Sequence, residues 1–164
     1  MGCALRGSLV STLAGKSISA HGHHVTFQTP TILCVDDDPD ITWTIEMRMK
    51  PYDVTVKRAF HGMHGIWEAV RSRPDLIIMD LAMPNGDGSY ILRCLRANAD
   101  TATVPIIVLT GMRDPALAGR LIQEGADAFL RKPLAFDELL HNISRFVDLR
   151  KLEDEADDDE SQND

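Results

Sequence analysis

Five short apolar runs alternate with five longer amphipathic stretches, and that alternation leaves few folds open to the chain. The runs fall at 32–35, 54–56, 76–79, 104–109 and 128–130; the stretches lie at about 39–50, 63–72, 88–97, 114–124 and 135–150. Such short runs suit strands buried on both faces, while the longer stretches carry apolar residues at helical spacing. Strand alternating with helix predicts an α/β fold, a five-stranded parallel sheet covered on both sides by five helices. Pro39 and Pro115 suit first helical turns, with Asp38 and Asp114 before them as N-caps. Gly125, followed by Ala126-Asp127, reads as a helix stop. Pro105 belongs at the start of the fourth strand, because it cannot donate a ladder hydrogen bond.

A length of 164 residues, 44% hydrophobic, favours one domain with a sizeable core. The net charge of −8 is unevenly spread: residues 1–30 hold Arg6 and Lys16 but no acid, and residues 153–164 hold eight acids and no base. The middle is therefore nearly neutral. A flexible N-terminal extension (1–30), a folded domain (31–150) and an acidic disordered tail (151–164) are expected. Met1-Gly2 resembles a myristoylation start, but Arg6 stands where Ser or Thr is wanted. His21, His23 and His24 lie in the extension without a scaffold for metal. The pairs Lys57-Arg58 and Arg131-Lys132 are too small for a nucleic-acid surface. No apolar stretch approaches the ~20 residues of a membrane span. Cys3, Cys34 and Cys94 share no CxxC spacing, which fits a reducing cytoplasm, and Cys34 reads as a buried small hydrophobe.

Chemistry collects where the strands end. In a doubly wound sheet, ligands bind beyond the C-terminal strand ends. Asp36, Asp37 and Asp38 follow the first strand and Asp80 the third; Thr110 follows the fourth, and Arg131-Lys132-Pro133 follow the fifth. Crowded carboxylates need a cation or a proton between them. Hard oxygen ligands point to Mg²⁺, and a lysine and a hydroxyl beside it can hold phosphoryl oxygens.

Five stretches carry a resemblance: Ile32-Leu33-Cys34-Val35-Asp36-Asp37-Asp38-Pro39, Asp75 to Pro84, Asp87-Gly88, Pro105 to Thr110, and Gly125 to Pro133. In order and spacing they resemble the receiver domain of two-component response regulators, over about residues 31–150. The resemblance implies a flavodoxin-like sheet of order 2-1-3-4-5. It implies that Asp80 is the phosphoacceptor, that Asp37 is a direct Mg²⁺ ligand and that Asp36 acts largely through water. The backbone carbonyl of Ala82 would be a third protein ligand. Thr110 would hydrogen-bond a phosphoryl oxygen, Lys132 would pair with Asp80, and Pro133 would be a cis-proline that aims the lysine. Thr110 and Phe129 would form a switch pair altering the surface of about 114–150. Such a protein is a signalling phosphoacceptor rather than an enzyme. Its implied partners are a histidine kinase or histidine phosphotransfer protein and a downstream protein, and it would be a monomer or weak dimer. With nothing after residue 150 fit to form an output domain, a stand-alone receiver is expected. Lys50-Pro51-Tyr52 departs from the family pattern, which often has a glycine there.

Other residues have plainer readings. Asp38 and Asp87 read as helix caps, Asp40 as a first-turn charge, and His61 and His64 as surface residues. Trp43 and Trp67 read as packing residues of their helices. Met112 and Ala82 would flank the site. Two rival functions remain at this level. A haloacid-dehalogenase-like phosphatase would use Asp36 as nucleophile, but Asp40 replaces the Thr or Val of its motif and the later acidic pair is missing. A phosphorylation-independent receiver-like scaffold would not need Asp37, Asp80, Thr110 and Lys132 together.

Overall fold

The alternation resolves into β1 (Thr31–Val35), α1 (Pro39–Met49), β2 (Thr55–Ala59), α2 (Gly62–Ser72), β3 (Leu76–Asp80), α3 (Gly88–Ala97), β4 (Ile106–Thr110), α4 (Leu117–Gln123), β5 (Ala128–Arg131) and α5 (Phe136–Ile143). A computed structural model describes residues 28–83, 88–111 and 116–152. Asp87, Met112, Asp114 and Pro115, given capping or flanking roles above, lie outside the described residues, as do 1–27 and 153–164. The sheet is all parallel, in the order β2-β1-β3-β4-β5. This is the flavodoxin-like doubly wound arrangement expected.

Side chains alternate between two half-cores, as the pleat requires. Leu33, Val35, Ile77, Met79, Ile106 and Val108 pack with α2, α3 and α4. Ile32, Cys34, Leu76, Ile78, Ile107 and Leu109 pack with α1 and α5. The inner strands β3 and β4 are buried at every position, so they read as uninterrupted apolar runs.

Two aspartates set the lower register. The Asp75 carboxylate accepts from the Thr31 amide (2.7 Å) and Asp127 accepts from Ile106 (2.8 Å), each pinning the first residue of the neighbouring strand. Arg96, at the end of α3, ties the adjoining loops together. Its guanidinium donates to the carbonyls of Gly125 (2.7 Å), Val104 (2.7 Å) and Ala102 (3.2 Å) and to the Asp127 carboxylate (2.7 Å). Burial lowers its pKa, with Asp127 pulling the other way.

Several expectations shift in detail. β2 runs on through Lys57 and Arg58, because this edge strand carries polar side chains that pair with Glu68 and Glu46. β4 begins at Ile106 rather than 104, after Pro105, whose carbonyl accepts from Ile77. α4 stops at Gly125 (φ 108°), with Gly125 N–H donating to Ile122 O and Ala126 N–H to Leu121 O. Those two bonds define a Schellman stop, and the left-handed φ favours glycine. α5 ends at Ile143 instead of 150; the chain tightens there, with Phe146 N–H bonding to Ile143 O and Ser144 Oγ to His141 O. His61 is the N-cap of α2, its Nδ1 accepting from the His64 amide at 3.1 Å. The tryptophans are not packed: Trp43 is 53% and Trp67 58% exposed. α1 buries Thr42, Ile45 and Met49, and α2 buries Gly62, Gly65, Glu68 and Ala69, which leaves both indoles on outward faces. Among the described residues no helix is long and apolar enough to cross a membrane.

Candidate functional site

Strand register builds the site. Val35 lies opposite Met79 across the β1–β3 pairing, so the next residues along, Asp36 and Asp80, emerge side by side at the upper edge. Asp80 also pairs with Leu109 of β4, and Thr110 with Arg131 of β5. The Lys132 amide then donates to the Thr110 carbonyl (2.9 Å), which fixes where the lysine leaves β5. The Lys132–Pro133 peptide bond is cis.

Local bonds orient each acid. Asp36 donates its amide to the Ala59 carbonyl, and its Oδ1 accepts from the Asp38 amide (3.0 Å). Asp38 caps α1 by accepting from the Asp40 amide (2.9 Å), so its carboxylate is engaged by the backbone, as its position before Pro39 implies. Asp80 Oδ1 accepts from the Ala82 amide (3.0 Å). The loop carrying Leu81 and Ala82 is held by α3 through Gly88. A Cβ there would lie 2.5 Å from Leu81 Cα and 2.8 Å from its carbonyl oxygen, so only glycine permits the approach.

The lysine spans two acids. Lys132 Nζ lies 2.9 Å from Asp80 Oδ2 and 2.6 Å from Asp36 Oδ2. The sequence reading paired Lys132 with Asp80 alone; the contact with Asp36 is additional. Asp36 and Asp80 are only 3% and 5% exposed, while Asp37 is open to solvent. Burial pushes the Asp36 carboxyl above the usual carboxylate range; Lys132 and the Asp38 amide oppose this, and the nearby Asp80 adds to it. Burial also acts to lower the Lys132 pKa, but its bonds to Asp36 and Asp80 outweigh that and hold it above the ordinary lysine value.

One carboxylate oxygen each from Asp36, Asp37 and Asp80 falls within 4.8 Å of the others. Three acids against one ammonium leave excess negative charge, which a hard divalent cation with oxygen ligands relieves. The three-carboxylate donor set fits Mg²⁺. Thr110 is buried at the end of β4, and Phe129 is half-buried on β5 against the core of the α2–α4 side. Beside Lys132 a cavity of about 430 Å³ opens between α1 and α5, lined by Ile41, Ile45, Leu109, Pro133, Leu134 and Phe136 among others.

Comparison with known proteins agrees with this geometry. The response regulator receiver domain family matches residues 32–144, and the chain belongs to that family. The DNA-binding dual master transcriptional regulator RpaA of Synechocystis sp. is 33% identical over 114 residues, 70% of this chain and 47% of that protein. The response regulator MprA of Mycobacterium ulcerans is 33% identical over 124 residues, 76% of this chain and 53% of that protein. The chain thus spans about half the length of these relatives. Among solved structures, the chemotaxis response regulator CheY4 of Vibrio cholerae superposes with a TM-score of 0.68 at 26% identity, covering 73% of this chain and all of that one. The receiver domain of Klebsiella pneumoniae RstA superposes with a TM-score of 0.65 at 25% identity, covering 71% of this chain and 97% of that one. This membership in a two-component signalling family leaves the phosphatase reading without support.

Proposed function

We propose that the protein accepts a phosphoryl group on Asp80 from a histidine kinase or histidine phosphotransfer protein, and that the modification switches a protein-binding face. The observation that carries this is the lysine bridge: one ammonium bonded to Asp80 and Asp36, with Asp37 completing a three-acid cluster. A carboxylate attacks an anionic phosphate poorly because both are negative. An Asp80 oxygen forms the new O–P bond as the P–N bond of the donor phosphohistidine breaks, and the imidazole leaves with the electron pair. Lys132 shields the incoming charge and then pairs with the product. Asp36, Asp37, Asp80 and the Ala82 carbonyl would hold Mg²⁺, which supplies charge neutralisation at the phosphoryl oxygens. The acyl phosphate formed is labile, so the mark is reversible.

Thr110 would then donate its hydroxyl to a phosphoryl oxygen, and Phe129 would turn toward the space left, shifting the population between two packings of the α4–β5–α5 surface. Phe129 has no phenolic hydroxyl, so packing alone holds either state. The protein is a signalling phosphoacceptor, not an enzyme in its own right, that assists its own phosphorylation and dephosphorylation. It works in the cytoplasm, where an ATP-using kinase operates, without contacting nucleic acid through residues 31–150. The apolar groove beside Lys132 is a seat for the donor protein. Incubation with acetyl phosphate and Mg²⁺ tests the reading: peptide mass spectrometry should find the label on Asp80, and Asp80→Asn should abolish it. A label on Asp36, or labelling that survives Asp80→Asn, overturns it.

A further inference from the structure

The outer face of α2 carries a stripe that the described residues leave uncovered. Phe60, Met63 and Trp67 are 41%, 64% and 58% exposed. With His64 and Arg71 they follow the three-and-four spacing of one helix face. Their rings form a ladder, with Phe60–His64 and His64–Trp67 centroids each 6.4 Å apart. Arg58 lies 5.2 Å over the Phe60 ring and Arg71 4.9 Å over Trp67. Tryptophan, methionine and arginine in one patch is the composition of a binding surface.

The occupant must bring acid and need little area. The three apolar side chains expose roughly 350 Å², well short of the ~800 Å² per partner of a stable complex. Two copies face to face would also oppose their arginines. A segment tethered to the same chain meets neither obstacle, because a short tether raises its effective concentration to about millimolar, where a weak contact suffices. Lys57 and Arg71 share the single carboxylate of Glu68, so this flank holds surplus positive charge.

Residues 153–164 carry eight acids and no base. The chain reaches them through Leu152, whose amide donates to the Pro51 carbonyl (2.8 Å), while the Asp53 amide donates to Arg150 O (2.8 Å). Those bonds root the segment beside the start of β2, which is an edge strand leading directly to Phe60. Tyr52 to Phe60 is roughly 26 Å of extended chain, and a dozen residues span up to about 40 Å. We infer that residues 153–164 fold back over the β2 edge onto the α2 stripe, with their carboxylates on Arg58, Arg71 and Lys57 and their backbone across Trp67. The inference stands whether or not Asp80 is phosphorylated.

The test follows Trp67 in a Trp43→Phe background, where it is the one remaining tryptophan. Acrylamide quenching is compared between the full chain, a chain ending at Leu152, and a full-length chain with the acids of 153–164 replaced by Asn and Gln. At low salt the quenching constant should be about twofold lower in the acidic full chain than in the other two, and ~0.5 M NaCl should erase the difference. Equal quenching in all three chains at low salt overturns the inference. So does Trp67 protection that persists without the acids and rises with protein concentration, which would give the stripe to a second copy.

Discussion

Lys132→Met removes the cation that touches Asp36 and Asp80, and the structure sets the size of the effect. Breaking a buried pair from one side costs about 3–5 kcal/mol, because the remaining charge stays desolvated. The Lys132 side chain is 21% exposed against 5% and 7% for the two acids, so water already reaches the ammonium. The lower end applies, about 3 kcal/mol. With a urea slope of ~1.5 kcal/mol/M, the unfolding midpoint in EDTA should fall by about 2 M. Because the folded pKa of Lys132 is raised, its contribution is fully present below the unfolded lysine value of ~10.4 and is lost as pH rises through the folded one. The gap between wild type and variant should therefore hold through neutral pH and close in strong alkali. Millimolar Mg²⁺ should stabilise the variant at least as much as the wild type, since a bound cation relieves the same two acids. Acetyl phosphate labelling of Asp80 should drop by at least ~10-fold. A midpoint within ~0.3 M of wild type in EDTA would show that the lysine bridge contributes little, and the charge argument for the site would fail with it.

Other perturbations probe the supports. Arg96→Met removes the guanidinium from three carbonyls and from Asp127 and should cost about 3 kcal/mol in urea unfolding, with the site chemistry little changed. Gly88→Ala forces the Leu81 backbone to move and should cost about 2 kcal/mol, while also weakening Mg²⁺ affinity by displacing Ala82, as read by titration. Glu68 is held below the usual carboxylate range by Lys57, with Arg71 adding to this against the effect of burial. Its contribution is present above the unfolded value of ~4.3 and lost as pH falls through the folded one, so Glu68→Gln should be less stable at neutral pH and converge with wild type in acid. Burial pushes the Cys34 thiol up to about 12, so thiol reagents should reach it at neutral pH only on global unfolding, measured by peptide-resolved alkylation.

Most of the architecture was legible because buried parallel strands and amphipathic helices have different periods. The runs at 32–35, 76–79 and 128–130 became β1, β3 and β5 within a residue of each end. Helix stops were less legible. The apolar spacing continues through Val147 and Leu149, yet α5 turns at Ser144, where side-chain bonds to its last carbonyls compete with the helix. Arg96 gave no signal, since an arginine near a helix end ordinarily just meets solvent; its partners lie in two loops, one just after α3 and one some thirty residues on. Trp67 was misread because helical periodicity shows two faces without saying which one meets the sheet. Gly62 and Gly65 decide that, by letting α2 close in on their side.

The sequence by itself determined which candidate residues gather at one edge of the sheet. Apolar strands that end in or just before Asp36, Asp80, Thr110 and Lys132 name a candidate edge, because strand ends are where backbone stops being buried. Tertiary structure alone decided how those residues share charge. β1 lies beside β3, so Asp36 and Asp80 stand close enough for one lysine to bond both. That pairing follows from side-chain reach and strand register, which no local stretch of the chain encodes.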